Sequence, residues 1–482
     1  MKKLVAKNFL IYAVPSVISR FIPIITLPIT TKYLSLSDFG YIAIFDLCLI
    51  PFQVFLSIGQ GYIINAVWFK LNDLERGKLI FTLLVVSSVI SALGTIIIFA
   101  TSSFIFPLIA GNVWGEIKDL LPLLVISVIA LIPGTTFTSW VVIEQKAKLS
   151  SYIKILQIVI SSIVIVFVAI YTQNYKYIIF GIVLIQLFIG VLQLLSMVKA
   201  MCFKVEMKML AIIYKIGTPI FLRSIFNVLR TQFDRIIVSS LYGANQFALY
   251  NFSGKINNIF IETSEHFQNA YDPSIYMGLT AKKPDIVNLR FIFYFWGVLT
   301  IIGCLILILF GETIIDKFTN GVFTEAFPLV LLYTCVVVIT LPFMGHGQII
   351  IFFQESKYLL LVTIIQAFVI FVLAIILIPI YGAPAGVFSL WFGTLIYMLM
   401  YFYKKRQLFK EYFVEKIMAP YVLLYHLIVL FTYFNSLNIS YILMVILFCA
   451  MIVGFYKSNK ILLKEIWINK KAVHSLKFSW KD

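Results

Sequence analysis

Charged residues are scarce in this chain of 482 residues: Asp, Glu, Lys and Arg make up 12% of the composition, and hydrophobic residues make up 61%. A soluble protein of this length needs more polar surface, so the composition excludes a soluble globular protein and indicates an integral membrane protein. The apolar runs are longer than strands and lack strict alternation. This pattern favours an all-α membrane protein over an outer-membrane barrel.

Cysteine is also rare, and the five cysteines stand singly along the chain. No disulfide framework or metal site is predicted from them, and no cofactor is expected. The N-terminus has Lys2, Lys3 and Lys7 before an apolar run, but no small-residue cleavage site follows. We therefore expect a retained first helix rather than a cleaved signal peptide.

Acidic residues are few: 21, against 38 basic residues, for a formal net charge of +17. A window of about 20 residues predicts fourteen transmembrane helices. Of the 38 basic residues, 27 lie in the N-terminus, in alternate loops and in the C-terminal tail, as the positive-inside rule requires. Both termini are therefore predicted to be cytoplasmic. The basic face suits anionic membrane lipids, so a nucleic-acid partner is not needed. The predicted spans are 8–31, 41–68, 79–101, 120–143, 151–171, 177–198, 211–240, 246–275, 289–311, 326–353, 358–380, 383–403, 419–434 and 438–456.

The chain also repeats itself at an offset of 209 residues, which predicts two six-helix lobes of the same orientation. Such lobes are related by a pseudo-two-fold axis along the membrane normal, an arrangement that suits a transporter with a central cavity. The matching pairs are Tyr33 with Tyr242, Tyr41 with Tyr250, Lys148 with Lys357, and Gln157 with Gln366. The predicted divisions are an N-terminal lobe at 1–200, a C-terminal lobe at 211–406, an extra helix pair at 417–457 and a basic cytoplasmic tail at 458–482.

A charged stripe runs along the seventh predicted span. Arg223, Asn227, Arg230 and Asp234 follow spacings of four, three and four, which place them on one helix face. Charge at membrane depth must face partners or water, so the stripe predicts a hydrated cavity for an anion. A structural ion pair between Arg230 and Asp234 is the alternative.

Other ionisable residues within the spans extend this prediction. Arg20 has no acidic residue at helical spacing, which favours contact with the cargo. The role of Lys255 stays open between cargo and a water-mediated pair. His266 beside Glu262 is either a proton-coupling pair or a hydrogen-bonded spacer. The candidate ion-coupling residues are Asp46, Asp234, Glu262 and His266.

Pro342, Gly345 and Gly347 predict a break in the tenth span. Such a break is either a hinge for alternating access or a static kink. We interpret His346 as marking this break rather than as a ligand.

Three short motifs carry a resemblance to a known family. The sequence resembles the polysaccharide transport branch of the multidrug/oligosaccharidyl-lipid/polysaccharide (MOP) exporter superfamily, and in particular O-antigen flippases. The motifs are residues 33–40 (YLSLSDFG), Asp234-Arg235 followed by Gly243 and Tyr250, and residues 378–382 (IPIYG) followed by Gly386.

The resemblance implies a function. Such proteins move an oligosaccharide repeat unit, linked to undecaprenyl pyrophosphate, from the cytoplasmic to the periplasmic leaflet of a bacterial inner membrane. Their cationic central cavity takes the pyrophosphate and sugars, and H⁺ or Na⁺ is the expected coupling ion. The resemblance places Arg20, Arg223, Arg230 and Lys255 in that cavity, and Asn227 is added as an amide suited to sugar hydroxyls.

Two other transporters and one enzyme class are the alternatives. A multidrug antiporter of the same superfamily calls for acidic cavities, which the arginines disfavour, whereas a lipid II-type precursor flippase also needs basic residues. A polysaccharide polymerase or glycosyltransferase needs a sizeable external loop, and the longest here is about 102–119. We therefore expect no enzyme, and regard a polysaccharide polymerase as a candidate partner.

The stripe yields a first prediction. Replacing Arg223 with alanine removes a guanidinium expected to bind the pyrophosphate, so glycan export should be abolished while membrane insertion is retained. Surface polysaccharide and the membrane level of the variant are the measurements. Unchanged surface polysaccharide in a strain that depends on the variant contradicts the role of Arg223.

Overall fold

The computed structural model describes residues 22, 25–56, 58–144, 146–280, 286–353, 355–410, 414–434, 442–451 and 453. These residues form α-helices and short 3₁₀ turns, with no strand among them. Hydrocarbon offers no hydrogen bonds, so a chain this apolar satisfies its backbone within helices. The all-α prediction is confirmed for the described part of the chain. The first predicted span as far as residue 21, and the basic tail at 458–482, lie outside the described residues.

Sixteen helices have defined bounds in the described part, and a further short helix, α17, follows them. The helices are α1 Leu36–Cys48, α2 Ile50–Leu56, α3 Gln60–Val67, α4 Asp73–Ala100, α5 Ser102–Ala110, α6 Trp114–Ile117, α7 Leu121–Ile143, α8 Ala147–Thr172, α9 Tyr175–Val198, α10 Met207–Thr280, α11 Ile286–Thr319, α12 Phe327–Val338, α13 His346–Phe352, α14 Ser356–Tyr381, α15 Ala383–Leu408, α16 Glu415–Tyr433 and α17 Ile442–Met451.

Nine helical segments in the described part are long and apolar enough to cross a membrane. Each overlaps one of the fourteen predicted spans, but Ser102–Ile143 also contains residues 102–119, which were predicted as an external loop and are helical turns in the structure. The total of fourteen stays a prediction. The first half of α10, which carries the charged stripe, is not among the nine. The nine segments are Asp73–Ala100, Ser102–Ile143, Lys148–Thr172, Tyr175–Val198, Arg290–Thr319, Thr324–Phe343, Lys357–Tyr381, Ala383–Leu408 and Glu415–Tyr433.

The second predicted span, 41–68, is three helices in succession rather than one. Gly59 has φ of 79°, a left-handed conformation that glycine adopts without steric cost, and α3 begins at the next residue. Gln60 is buried there, and its Nε2 donates to the backbone oxygen of Leu56 at 2.7 Å and to Ser87 Oγ at 3.1 Å. The break therefore leaves the Leu56 carbonyl without a helical partner, and the Gln60 side chain donates a hydrogen bond to it instead.

The tenth predicted span is also broken. Helix α12 ends at Val338, a 3₁₀ turn covers Leu341–Phe343, and α13 begins at His346 after Gly345, whose φ is 81°. The predicted break at Pro342 and Gly345 is confirmed. The seventh and eighth predicted spans correspond to the two helical halves of α10, which meet at Gly243, a residue with non-helical backbone (φ 72°, ψ −171°).

The chain divides into two compact units. The first comprises residues 1–252, 314–326 and 370–386, and the second comprises 253–313, 327–369 and 387–482. The first unit has a core that includes Ile63, Leu79, Phe137 and Trp140. In the second, the core includes Phe293, Tyr294 and Tyr425, and the Tyr425 hydroxyl donates to Thr334 Oγ1 at 2.7 Å. The two six-helix lobes with their symmetry stay a prediction.

The first family-like motif forms the start of α1. Ser35 is the N-cap: its Oγ accepts from the backbone N–H of Asp38, and the Asp38 carboxylate accepts from the backbone N–H of Ser35 at 2.9 Å. This capping box fixes the beginning of the helix. The Phe39 ring then packs edge-on against Phe323 with centroids 5.2 Å apart. Gly40 lies against the backbone of Ala244, where a Cβ would overlap the carbonyl group. Small residues of this kind let helices in a membrane approach closely.

Replacing Gly40 with alanine therefore requires α1 and α10 to separate locally, and we expect a loss of roughly 1–3 kcal/mol of stability from overpacking. Gly115→Ala is the control, because a Cβ at Gly115 meets no atom within 4 Å. Thermal unfolding of the detergent-solubilised proteins measures both. Equal melting temperatures for the two variants contradict the close approach.

Candidate functional site

The charged stripe lies in the first half of α10, within the first unit. Arg230 is half-buried and Asn227 is exposed, and Arg230 Nη2 donates to Asn227 Oδ1 at 2.9 Å. The spacing of three residues puts the amide within reach of the guanidinium. Asn227 is neutral, so this hydrogen bond orients the guanidinium and adds no opposite charge.

Asp234, one turn further along, has a different partner. It is fully buried, and its Oδ2 accepts from the hydroxyl of Tyr250 at 2.5 Å. Its Oδ1 has no hydrogen-bond partner among the described residues. The structural ion pair between Arg230 and Asp234 is therefore not formed: Arg230 donates to Asn227, and Asp234 accepts from Tyr250.

The Asp234–Tyr250 pair bridges the interruption at Gly243 in α10. Tyr250 is fully buried, and a Cβ at Gly386 would come within 2.7 Å of its hydroxyl oxygen, so only glycine leaves room for the tyrosine there. Tyr242, the residue directly before Gly243, donates to the backbone oxygen of Ile378 at 2.7 Å. The second and third family-like motifs thus meet in one packed cluster of the first unit.

The other predicted site residues are placed as follows. Lys255 and Glu262 are exposed on the second half of α10, in the second unit, and Asp46 is exposed on α1. Arg20 lies outside the described residues. Arg223 and His266 belong to α10, but their side chains are outside the described part. The roles of these residues in cargo binding and ion coupling stay predictions.

Sequence similarity identifies the family. Residues 29–270, half of the chain, match the family described as "Polysaccharide biosynthesis protein". The chain belongs to this family. The matched segment contains the capping box of α1 and the Asp234–Tyr250 pair, so both features lie in the part of the chain that this polysaccharide biosynthesis protein shares with its family. No curated protein matches the sequence.

Solved transporter structures share the fold of this family member. Lipid II flippase MurJ in an inward closed conformation has 15% identity and a TM-score of 0.70, over 94% of this chain and 100% of that one. An inward-facing MATE family multidrug resistance transporter of the MOP superfamily has 12% identity and a TM-score of 0.62, over 81% and 94%. A MOP superfamily transporter from Pyrococcus furiosus has 13% identity and a TM-score of 0.53, over 83% and 95%. At these identities the likeness shows the fold alone.

Sequence reasoning missed one cluster of ionisable side chains, in the second unit. Glu415 Oε1 accepts from Lys405 Nζ at 2.8 Å and lies 2.7 Å from His346 Nε2. His346 was predicted to mark the helix break, which it does, but its imidazole is also fully buried against Glu415. The signal available in the sequence was a histidine inside an apolar span together with a lysine and a glutamate flanking one short loop.

The Asp234–Tyr250 pair generates a prediction. Tyr250→Phe leaves the buried carboxyl without its donor, so we expect a loss of about 1–3 kcal/mol. Tyr242→Phe is the matched control, because it removes a hydroxyl that donates to a neutral backbone oxygen. Unfolding of Tyr250→Phe, Asp234→Asn and the double variant measures the coupling. Fully additive effects contradict a direct bond.

Proposed function

We propose that the protein is a flippase for a lipid-linked oligosaccharide. It would move an undecaprenyl-pyrophosphate-linked oligosaccharide, the O-antigen repeat unit, from the cytoplasmic to the periplasmic leaflet of the bacterial inner membrane by alternating access. Membership of the polysaccharide biosynthesis family and the transporter fold support this proposal. The observation that carries it is the guanidinium of Arg230, oriented by Asn227 on a helix of the membrane protein.

The chemistry of the cargo explains why such a residue is needed. A pyrophosphate dragged through hydrocarbon loses its hydration at a prohibitive cost, whereas the isoprenoid tail is stable in the bilayer. Only the head group requires a polar path. Guanidinium groups remain charged at every relevant pH and bind phosphate oxygens in a two-pronged geometry that lysine cannot reproduce. Arg20, Arg223, Arg230, Lys255 and Asn227 are the proposed cargo-binding residues.

The proposal has two further parts: transport is coupled to an ion, and the protein is built from two lobes. Net direction would come from H⁺ or Na⁺, with Asp46, Asp234, Glu262 and His266 as candidate carriers. Two six-helix lobes, an extra helix pair and cytoplasmic termini are the proposed architecture. No cofactor or metal is required for this function, and a polysaccharide polymerase is the proposed downstream partner.

Two alternatives have separate support. The MurJ likeness, which extends over 94% of the chain, favours a lipid II-type precursor as cargo. The MATE likeness favours a multidrug antiporter, but a guanidinium site repels cationic drugs. Both alternatives keep the protein a transporter. An enzyme of polysaccharide synthesis has less support, because the solved proteins that share the fold are named as a flippase and transporters.

Arg230 provides the test. Arg230→Ala should lower glycan export by roughly tenfold to a hundredfold, the loss expected when a charged hydrogen bond to the cargo is removed, and Arg230→Lys should recover only part of it. Arg235→Ala is the matched control, because it removes an arginine of the same helix that is not among the proposed cargo-binding residues and whose Nη1 donates to Gln232 Oε1 at 3.4 Å. Surface polysaccharide, corrected for the membrane level of each variant, is the measurement.

The cargo is settled by translocation in proteoliposomes. Vesicles contain the full chain and either an undecaprenyl-pyrophosphate-linked oligosaccharide or lipid II, and appearance of each lipid in the opposite leaflet is followed. Movement of the first lipid alone supports the O-antigen class of cargo. Movement of lipid II alone overturns it in favour of the precursor flippase.

A further inference from the structure

The ionisable cluster of the second unit lies apart from the charged stripe and has no assigned role. His346 and Lys405 have no exposed surface and Glu415 is 7% exposed. Two donors from different helices converge on one oxygen, Glu415 Oε1, at 2.7 and 2.8 Å. Such convergence ties the start of α13, the end of α15 and the start of α16 to a single carboxylate.

Stability does not explain this cluster. Taking three ionisable groups out of water carries a large desolvation cost, and apolar residues of similar volume often replace a buried ion pair with no loss of stability. The neighbouring residue Lys404 forms an ion pair with a lower desolvation cost. Its Nζ lies 2.9 Å from Glu355 Oε1, and the Glu355 side chain is 36% exposed. The buried cluster therefore calls for a functional reason.

The carboxylate of Glu415 has an open position. Its Oε2 is buried and has no hydrogen-bond partner among the described residues. The residue also lines a cavity of about 710 Å³ within the second unit, whose wall is mostly apolar and includes Trp391 and Leu395, with Lys416 and His426 beside Glu415. Glu415 is thus buried, has one oxygen without a partner among the described residues, and lies beside open space, so Oε2 has room for a proton.

The cluster is attached to the helix break. His346 is the first residue of α13 and directly follows Gly345, which has left-handed φ. The turn at Leu341–Phe343 and the preceding helix α12 both pack against α16. The bond between His346 and Glu415 therefore fastens the segment beyond the break to α16, and any swing of α13 away from α16 must break it.

We propose that Glu415 is the carboxylate that binds and releases the coupling proton of transport, and that its protonation unfastens α13 from α16. The proposal rests on the proposed transport function and specifies H⁺ as its ion. A hydronium ion transfers its proton to Oε2: one O–H bond of the hydronium breaks, one O–H bond forms on the carboxyl group, a water molecule is released, and the charge of the cluster rises by one. The acceptor then carries no negative charge, so the bonds that Lys405 and His346 make to it become weaker.

Other titratable groups surround the cluster. His346 faces Glu415 from α13, Lys405 and Arg406 belong to α15, and Arg290 of α11 acts on Lys405 through its charge. The arginines stay protonated, so His346 is the neighbouring group whose protonation has to be separated from that of Glu415. His346→Gln separates the two: its amide still donates to Glu415, but it does not titrate.

Hydrogen–deuterium exchange over residues 339–353 tests the unfastening in lipid nanodiscs. With the intrinsic pH effect corrected, exchange in the full-length chain should rise about tenfold on acidification, a size typical of coupled equilibria. Glu415→Gln, which mimics the protonated acid, should exchange fast at every pH. Glu355→Gln is the matched control and should behave as the unmodified chain does. A pH response that survives in Glu415→Gln, or that disappears in His346→Gln, overturns the assignment to Glu415.

Transport under an imposed pH gradient completes the test. The double variant Lys405→Met, Glu415→Gln removes both charges and keeps an acceptor for His346, so it should fold, transport passively and lose its response to the gradient. If this variant still responds fully, Glu415 is not the proton carrier. If the unmodified chain moves lipid-linked glycan without responding to the gradient, the coupling proposal fails and the flippase function stands. If the unmodified chain moves no lipid-linked glycan, the flippase function fails, and the exchange experiment still decides whether Glu415 controls the break.

Discussion

The absence of hydrogen-bonding solvent in the hydrocarbon core is the constraint on which the rest of this structure depends. Every backbone group has to find its partner within the protein, and so do the small hydroxyl side chains. Thr82 and Thr95 show the usual solution, each donating at 2.7 Å to the carbonyl four residues earlier in α4. Against this background, a buried carboxylate among the described residues stands out when its hydrogen-bond donor comes from another turn or another helix. Asp234 and Glu415 are of this kind, because each needs a partner from elsewhere in the chain.

The same constraint governs what happens where a helix breaks. A left-handed glycine frees carbonyl groups from the helix ladder, and in both broken spans a buried polar residue follows directly. Gln60, which follows Gly59, donates hydrogen bonds to the freed carbonyl of Leu56 and to neutral side chains. The first break is therefore stabilised by groups that do not change charge. His346, after Gly345, is held instead by a carboxylate. The two breaks have similar backbone geometry, but only the one at Gly345 is held by a hydrogen bond whose strength depends on the protonation state of a carboxylate, Glu415.

Local features of this chain could be predicted from the sequence because they have a local signal. Hydropathy located nine long apolar segments in the described part of the chain, the 100° spacing of the stripe placed Asn227 beside Arg230, and proline with glycine marked the break before His346. Contacts that join distant segments have no such periodicity. The bond from Tyr250 to Asp234 crosses the interruption at Gly243, whereas helical spacing alone predicts an ion pair between Asp234 and Arg230. The loop pattern predicts Lys405 only as a positive charge in a loop, although its ammonium is buried against Glu415.

The two buried carboxylates of the described residues, Asp234 and Glu415, differ in their chemical surroundings. Asp234 accepts a hydrogen bond from the neutral hydroxyl of Tyr250, which packs so closely against Gly386 that a side chain there would clash. Moving this carboxyl group therefore disturbs the packing of the family-like motifs. Glu415 has a charged partner, an open oxygen and a neighbouring cavity, so a change in its protonation alters charge without first requiring the core to repack. A carboxylate in the second setting can exchange protons at low cost in packing, whereas one in the first is better suited to holding helices together. By this argument the family-like motifs specify the framework, whereas Arg230 and Glu415, the groups proposed to bind cargo and the proton, lie outside them.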